Sequence, residues 1–120
     1  SGGQVEIPDD WQERYYPTYI PEGFSYKETK LRMKTSSLIY ENSEGLNIRF
    51  TIILPDADMS FDTENMKKTE IKVKTHDAIL FEKMDKEQCS ILINYEDCVI
   101  RISGQVFAEE IIKIAENISE

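Results

Sequence analysis

The chain has 120 residues and a mass of 14.0 kDa, enough for one domain with a single core. At 40% hydrophobic and 31% charged residues it has the composition of a folded globular domain, which excludes a disordered tail, and no apolar run approaches the roughly 18–20 residues of a membrane-spanning helix. Acidic residues outnumber basic ones by 23 to 14, a net charge of −9, and a field of that sign argues against nucleic acid and anionic lipid as general partners.

The opening "SGGQVE" is small and polar, so residues 1–8 read as a flexible segment ahead of a single domain over 9–120. It lacks an initiator Met, which points to a leader, an anchor or a larger region upstream. "IPDDWQERYYP" predicts a short N-terminal helix: Asp9 or Asp10 offers an N-cap, acidic residues favour a first turn, and Pro17 disfavours helical geometry at Tyr16. Pro21-Glu22-Gly23 is a turn signal, since Pro presets φ and Gly accepts a positive φ.

From Phe24 the hydrophobic period drops to two. In the first strand, about Phe24 to Lys34, Phe24 and Tyr26 fall on one parity, with Leu31 and Met33 on the other. A β-bulge near Glu28-Thr29 would bring all four to one face. "SSLIYEN" and "LNIRFTIIL" follow as a hairpin turning at Ser43-Glu44-Gly45, and Leu46, Ile48, Phe50, Ile52 and Leu54 alternate cleanly. "PDADMSFDTENMKK" is a polar connection with one helical turn after Ser60, and "TEIKVKT" turns at His76-Asp77 into "AILFEKM". After the charged turn Asp85-Lys86-Glu87, "QCSILINYEDCVIRIS" predicts a hairpin burying Ile91, Ile93, Ile100 and Ile102.

That hairpin decides the cysteines. With Tyr95 opposite Cys98, Cys89 faces Gly104, and the two sulfurs stand about 20 Å apart at the strand rise, beyond disulfide reach. Two unpaired thiols are expected. The chain closes with a helix over about Phe107 to Ile118, where Phe107, Ile111, Ile114, Ala115 and Ile118 form one stripe and Glu109 and Glu110 suit the first turn. The predicted fold is α+β: a single antiparallel β-sheet of six or seven strands in meander order, packed by a C-terminal amphipathic helix, with a short N-terminal helix.

Several segments resemble domain-of-unknown-function family number 4367: "YIPEGF", the extended strand pair after it, the polar connector "DTENMKKTEIKV" and the closing "VIRISGQVFAEEIIKIAENIS". The resemblance runs from about Trp11 to Ser119, and its most specific parts are the Pro-Glu-Gly-Phe turn and the strand, Ser-Gly and acidic-then-aliphatic helix of the ending. It implies the outer-face portion of a membrane-anchored protein or lipoprotein of a Gram-positive bacterium, in some members after an anti-sigma-factor-like region. "PEGF" is also similar to the C-terminal part of periplasmic regulators of sigma-factor signalling. By this resemblance the domain is extracytoplasmic, anchored at the cell surface by a segment outside the chain, which would be its only membrane contact. Many members carry a Trp in the penultimate strand where this chain reads "LINYED". No catalytic motif is shared, so no functional residue transfers.

The chemistry-bearing residues are sparse. His76 is the only histidine, in a turn context without a nucleophile at a suggestive spacing, and one His with two distant Cys does not make a zinc site. Asp56, Asp58, Ser60, Asp62 and Glu64 have EF-hand-like spacing, but Phe61 stands at the obligatory Gly position and Lys67 at the bidentate Glu position. No Gly-rich phosphate cradle is present. No catalytic residue, metal ligand or cofactor is therefore expected. Two candidate binding features remain: the rings of Tyr15, Tyr16 and Tyr19, and a basic strip of Lys30, Arg32 and Lys34 with Lys27, Lys72 and Lys74. For both, the plainer reading is structural, as packing rings and a solvated sheet face. The expected function is a non-catalytic module that senses or binds a protein or cell-envelope ligand for a membrane-anchored protein. The alternative is a small stand-alone hydrolase-like enzyme using carboxylates.

Overall fold

The structure is a computed structural model that describes residues 5–57, 64–83 and 88–120. In chain order, β1 (Tyr16–Pro17), β2 (Ser25–Leu31), β3 (Thr35–Glu41), β4 (Asn47–Ile53), β5 (Met66–Val73), β6 (His76–Lys83), β7 (Cys89–Asn94) and β8 (Val99–Gly104) are followed by α1 (Ala108–Glu116) and β9 (Ile118–Ser119). The protein is mostly β. Seven strands form one antiparallel sheet in the order β2-β3-β4-β8-β7-β6-β5, and β1 pairs with β9 as a separate two-stranded ribbon. The large sheet is two meanders, β2 to β4 and β5 to β8, joined where β4 pairs with β8. The chain leaves β4 at the centre and re-enters at β5 on the far edge, so β2 and β5 are opposite edges.

Period-two alternation gives the sheet its core face. Leu38, Phe50, Ile102, Ile91 and Leu80 face one another across five strands in one row. Ile52, Ile100, Ile93 and Ala78 form the next row, all buried. Onto this face α1 lays Ile111, Ile114 and Ala115, and Ile118 of β9 joins the same cluster. Val5, Ile7 and Trp11 also pack against it, so the described part of segment 1–8 lies against the core. Full burial of each such side chain contributes about 1.5–3 kcal/mol.

The hairpin of β7 and β8 has the expected register: Cys89 faces Gly104, the Tyr95 N–H donates to Cys98 O at 3.0 Å, and Ile91, Ile93, Ile100 and Ile102 are fully buried. Both cysteines are free thiols. The Cys89 Sγ donates to Val106 O at 3.3 Å. The Pro21-Glu22-Gly23 turn closes with Phe24 N–H to Pro21 O at 3.2 Å, and Gly23 takes a φ of 94° that a side chain would resist.

Other expectations are corrected. No N-terminal helix forms: the segment turns at Trp11 N–H to Pro8 O and then runs extended into β1. A helix ending at Tyr16 would span only two turns, too short to offset its nucleation cost. Extended geometry instead pairs Tyr16 with Ser119 and buries Tyr15 and Pro17. The bulge in β2 lies between Tyr26 and Glu28, slightly earlier than expected. It does carry Leu31 to the core-face parity opposite Ser36, yet Leu31 stays 57% exposed at the sheet corner and Met33, in the β2–β3 turn, 91% exposed.

The β5–β6 turn falls at Lys74-Thr75, so His76 opens β6, where it stacks on Tyr95 at 4.0 Å. Helix α1 starts one residue late because Phe107 takes the extended N-cap conformation, and its ring is 57% exposed and leaves the stripe. The expected turns after Ser60 and at Asp85-Lys86-Glu87 lie outside the described residues.

Candidate functional site

With α1, β1, β9 and the N-terminal segment all on the core face, no helix among the described residues lies over the second face of the sheet. Two of its rows matter. Glu28, Ile39, Arg49 and Ser103 face one another across β2, β3, β4 and β8; Lys30, Ser37, Thr51 and Arg101 form the adjacent row. The first row, with Lys30 and Arg101 of the second, lines a groove of about 450 Å³ together with Lys27 and the rim residues Asn47, Gln88, Gly104 and Gln105. The volume is that of a small-molecule site. In a chain of net charge −9, the described lining residues of this groove include four cations and one carboxylate, Glu28.

Each side chain is positioned by the sheet. Arg49 and Arg101 sit on neighbouring central strands, one step apart diagonally, because Arg49 pairs with Ser103 and Thr51 with Arg101. At that spacing long side chains reach one another. Both are half-buried. Burial, and then the charge of Arg49 beside it, hold the Arg101 guanidinium below its ordinary arginine value. Among the described residues neither Arg49 nor Lys30 has an ion-pair partner. Lys27 is paired with Glu41 at 3.1 Å. Between Lys30 and Arg101 in the second row, the buried Ser37 and Thr51 hydroxyls bond each other at 2.9 Å. At the rim, Gln105 Oε1 accepts from the Asn47 N–H at 3.1 Å. Gly104 lets β8 approach β4, since a Cβ there would lie 3.0 Å from Ile48 Cγ1 and 3.3 Å from Asn47 O.

The basic strip read from sequence divides. Lys30 enters the groove. Arg32 and Lys34 share its parity in sequence, but β2 ends at Leu31 and both sit in the β2–β3 turn. There the Arg32 N–H donates to Thr35 O at 2.8 Å, and Lys34 Nζ pairs with Asp56 at 2.7 Å. Lys72 and Lys74 lie on the opposite edge of the sheet, Lys72 paired with Asp77. Sequence reasoning missed Arg49 and Arg101. The signal was present: each is a lone cation at the outward parity of a strongly apolar strand, "LNIRFTIIL" and "VIRIS".

The tyrosines are structural in placement. Tyr15 is 4% exposed, its ring 4.6 Å from that of Tyr95, and its hydroxyl donates to Asp97 Oδ1 at 2.8 Å. Burial, then that bond, push the hydroxyl up to about 12, and the same bond holds the Asp97 carboxyl below its ordinary value. Tyr16 is half-buried in β1. The Tyr19 hydroxyl donates to Glu110 Oε1 at 2.6 Å, with the Lys113 ammonium 4.5 Å from its ring centre. These contacts fasten the N-terminal segment to the β7–β8 turn and to α1. His76 Nδ1 lies 3.2 Å from Asn94 O. Of the EF-hand-like set, Asp58, Ser60 and Asp62 lie outside the described residues; among the described residues no group of three or more His, Cys, Asp or Glu is placed to hold a metal ion.

The family described as domain of unknown function (DUF4367) matches residues 14–118. The chain belongs to this family. DUF4367 is thereby matched from Arg14, through β1 and the sheet with its groove-lining strands, to Ile118 in β9. No curated protein and no solved structure matches the chain. Among the described residues no helix is long and apolar enough to cross a membrane.

Proposed function

We propose that this domain is a non-catalytic binding module that takes an anionic ligand on the sheet face opposite α1, on behalf of a membrane-anchored protein and outside the cytoplasm. One observation carries the reading: Lys30, Arg49 and Arg101 converge with Lys27 on a groove of about 450 Å³ in a chain of net charge −9. Placing two half-buried guanidinium groups side by side works against folding, and such placements mark sites kept for what they bind. The extracytoplasmic placement and the link to sigma-factor signalling rest on the family resemblance in the "PEGF" turn and the closing strand and helix.

The two parts of the reading have separate tests. A membrane-impermeant amine reagent added to intact cells producing the full-length protein labels the exposed Lys72 and Lys74 before lysis; labelling only after lysis contradicts the surface placement. A nitrogen-15 NMR titration with small anions shifts the amides of β3, β4 and β8 around Arg49 and Arg101. Shifts elsewhere, or none, contradict the groove.

A further inference from the structure

We propose that the free edge of β2 is a self-association surface, on which a second copy of this chain adds its own β2, antiparallel, about a twofold axis through Thr29. Such pairing is independent of whether the groove holds an anion.

Backbone geometry opens the edge. β2 and β5 end the seven-stranded sheet, and among the described residues no strand pairs with the outer side of β2. The Asn42 N–H donates to Leu46 O and the Leu54 N–H to Lys34 O. The even-numbered residues of β3 therefore turn their backbone groups to β4 and the odd-numbered ones to β2. Opposite them, Lys30 faces Ser37 and Glu28 faces Ile39, so both bond inward, as the Arg32 N–H does to Thr35 O. Thr29 and Leu31 alternate with these and present N–H and C=O outward, without a backbone partner among the described residues. Outward backbone groups in a row are a template for another strand.

Side chains choose the partner. In an antiparallel pair centred on Thr29, residue 28 of one copy faces residue 30 of the other. Glu28 then meets Lys30 of the second copy, and by symmetry Lys30 meets its Glu28, two opposite-charge pairs on one face. Within one copy neither side chain has an ion-pair partner among the described residues. The centring matters: an axis through Leu31 would set Lys30 against Arg32 of the second copy. The core face adds apolar contact. Leu31 is 57% exposed and Met33 91%, and the pairing carries both toward Phe24 and Tyr26 of the second copy, partly buried residues at the other end of its edge.

The assembly closes on itself. The bulge between Tyr26 and Glu28 limits regular pairing to a few residues, which puts the contact at the small, weak end of protein interfaces. A twofold contact uses up the β2 edge, and the exposed Lys67, Lys68 and Lys72 guard β5 on the opposite side. A dimer is expected, not a fibre.

Sedimentation equilibrium of the full chain over a wide concentration range tests this, with amide hydrogen exchange to place the contact. The mass is expected to rise from 14.0 kDa toward that of a dimer. The Thr29 and Leu31 amides, which exchange freely in dilute solution, should become protected as it does. Lys30→Glu opposes two carboxylates at both symmetry-related positions, and Glu28→Lys opposes two ammonium groups. Each is expected to weaken association by about tenfold to a hundredfold. An equimolar mixture of the two variants should restore it, as should both substitutions combined in one chain, which damage to the fold alone could not do. A chain that stays monomeric up to its solubility limit overturns the proposal. So does a dimer that Lys30→Glu leaves intact, or one whose protection lies away from β2. Failure of both restorations overturns the axis at Thr29.

Discussion

Arg49 and Arg101 stand diagonally on adjacent central strands of one sheet face, and burial, then the charge of the first, hold the second below its ordinary arginine value. Like charges so placed cost roughly 0.2–1 kcal/mol relative to neutral residues. The fold meets that cost at the centre of its sheet. A bound anion of the kind proposed would offset that repulsion.

Gly104 sets how closely β8 lies against β4 beside the groove. A methyl group there meets Ile48 Cγ1 at 3.0 Å and Asn47 O at 3.3 Å, and the backbone oxygen cannot move without disturbing the pairing. Gly104→Ala is expected to destabilise by about 1–3 kcal/mol in chemical denaturation. A wild-type midpoint would show that the strands have room to relax.

Tyr15 joins the N-terminal segment to the β7–β8 turn through its ring and its hydroxyl. Tyr15→Ala empties a buried aromatic site and is expected to cost about 3–5 kcal/mol. Tyr15→Phe keeps the ring and loses the bond to the exposed Asp97 carboxylate, so its cost is a small fraction of that. Equal losses in the two variants would move the weight from packing to the hydrogen bond.

Lys74 holds a φ of 57° in the two-residue turn between β5 and β6. A non-glycine residue in that region carries about 1–2 kcal/mol of strain, so Lys74→Gly is expected to raise the thermal midpoint. A lowered midpoint would mean that the lysine side chain contributes more than its backbone strain removes.

Alkaline pH should weaken the fold. Burial pushes the Cys89 and Cys98 thiols from 9.0 up to about 12, and the Tyr15 hydroxyl from 10.0 up to about 12. The folded state keeps these protons to higher pH than the unfolded chain does. Their contribution is therefore complete below about pH 9 and is lost as pH rises from about 9 to about 12. The melting temperature is expected to fall through that window, and less steeply in Cys98→Ala. A melting temperature that stays level across it contradicts the assignment.

Much of the sheet was legible because period-two alternation is local. Ile91, Ile93, Ile100 and Ile102 declare their face without knowledge of any partner, and the Glu96-Asp97 turn fixes their register. The N-terminal segment was misread because its extended form depends on β9, about a hundred residues away, which local capping signals cannot report. The basic strip was misread for a related reason. Whether Lys30 and Lys72 share a patch depends on strand order, and the β4–β8 pairing that puts β2 and β5 on opposite edges is a long-range choice. Arg49 and Arg101 were visible as lone cations in apolar strands, but their adjacency comes from that same pairing.

The most direct test of the groove is the thermal midpoint of wild type and Arg49→Gln, each with and without a small anion such as inorganic phosphate or succinate. Removing one member of the like-charged pair should leave the ligand-free midpoint level or slightly higher, by an amount equivalent to about 0.2–1 kcal/mol. The ligand should raise the wild-type midpoint in a concentration-dependent way and leave that of Arg49→Gln nearly unmoved. A variant that is stabilised by the ligand as much as wild type is, or a wild type that does not respond at all, would contradict an anion site between Arg49 and Arg101.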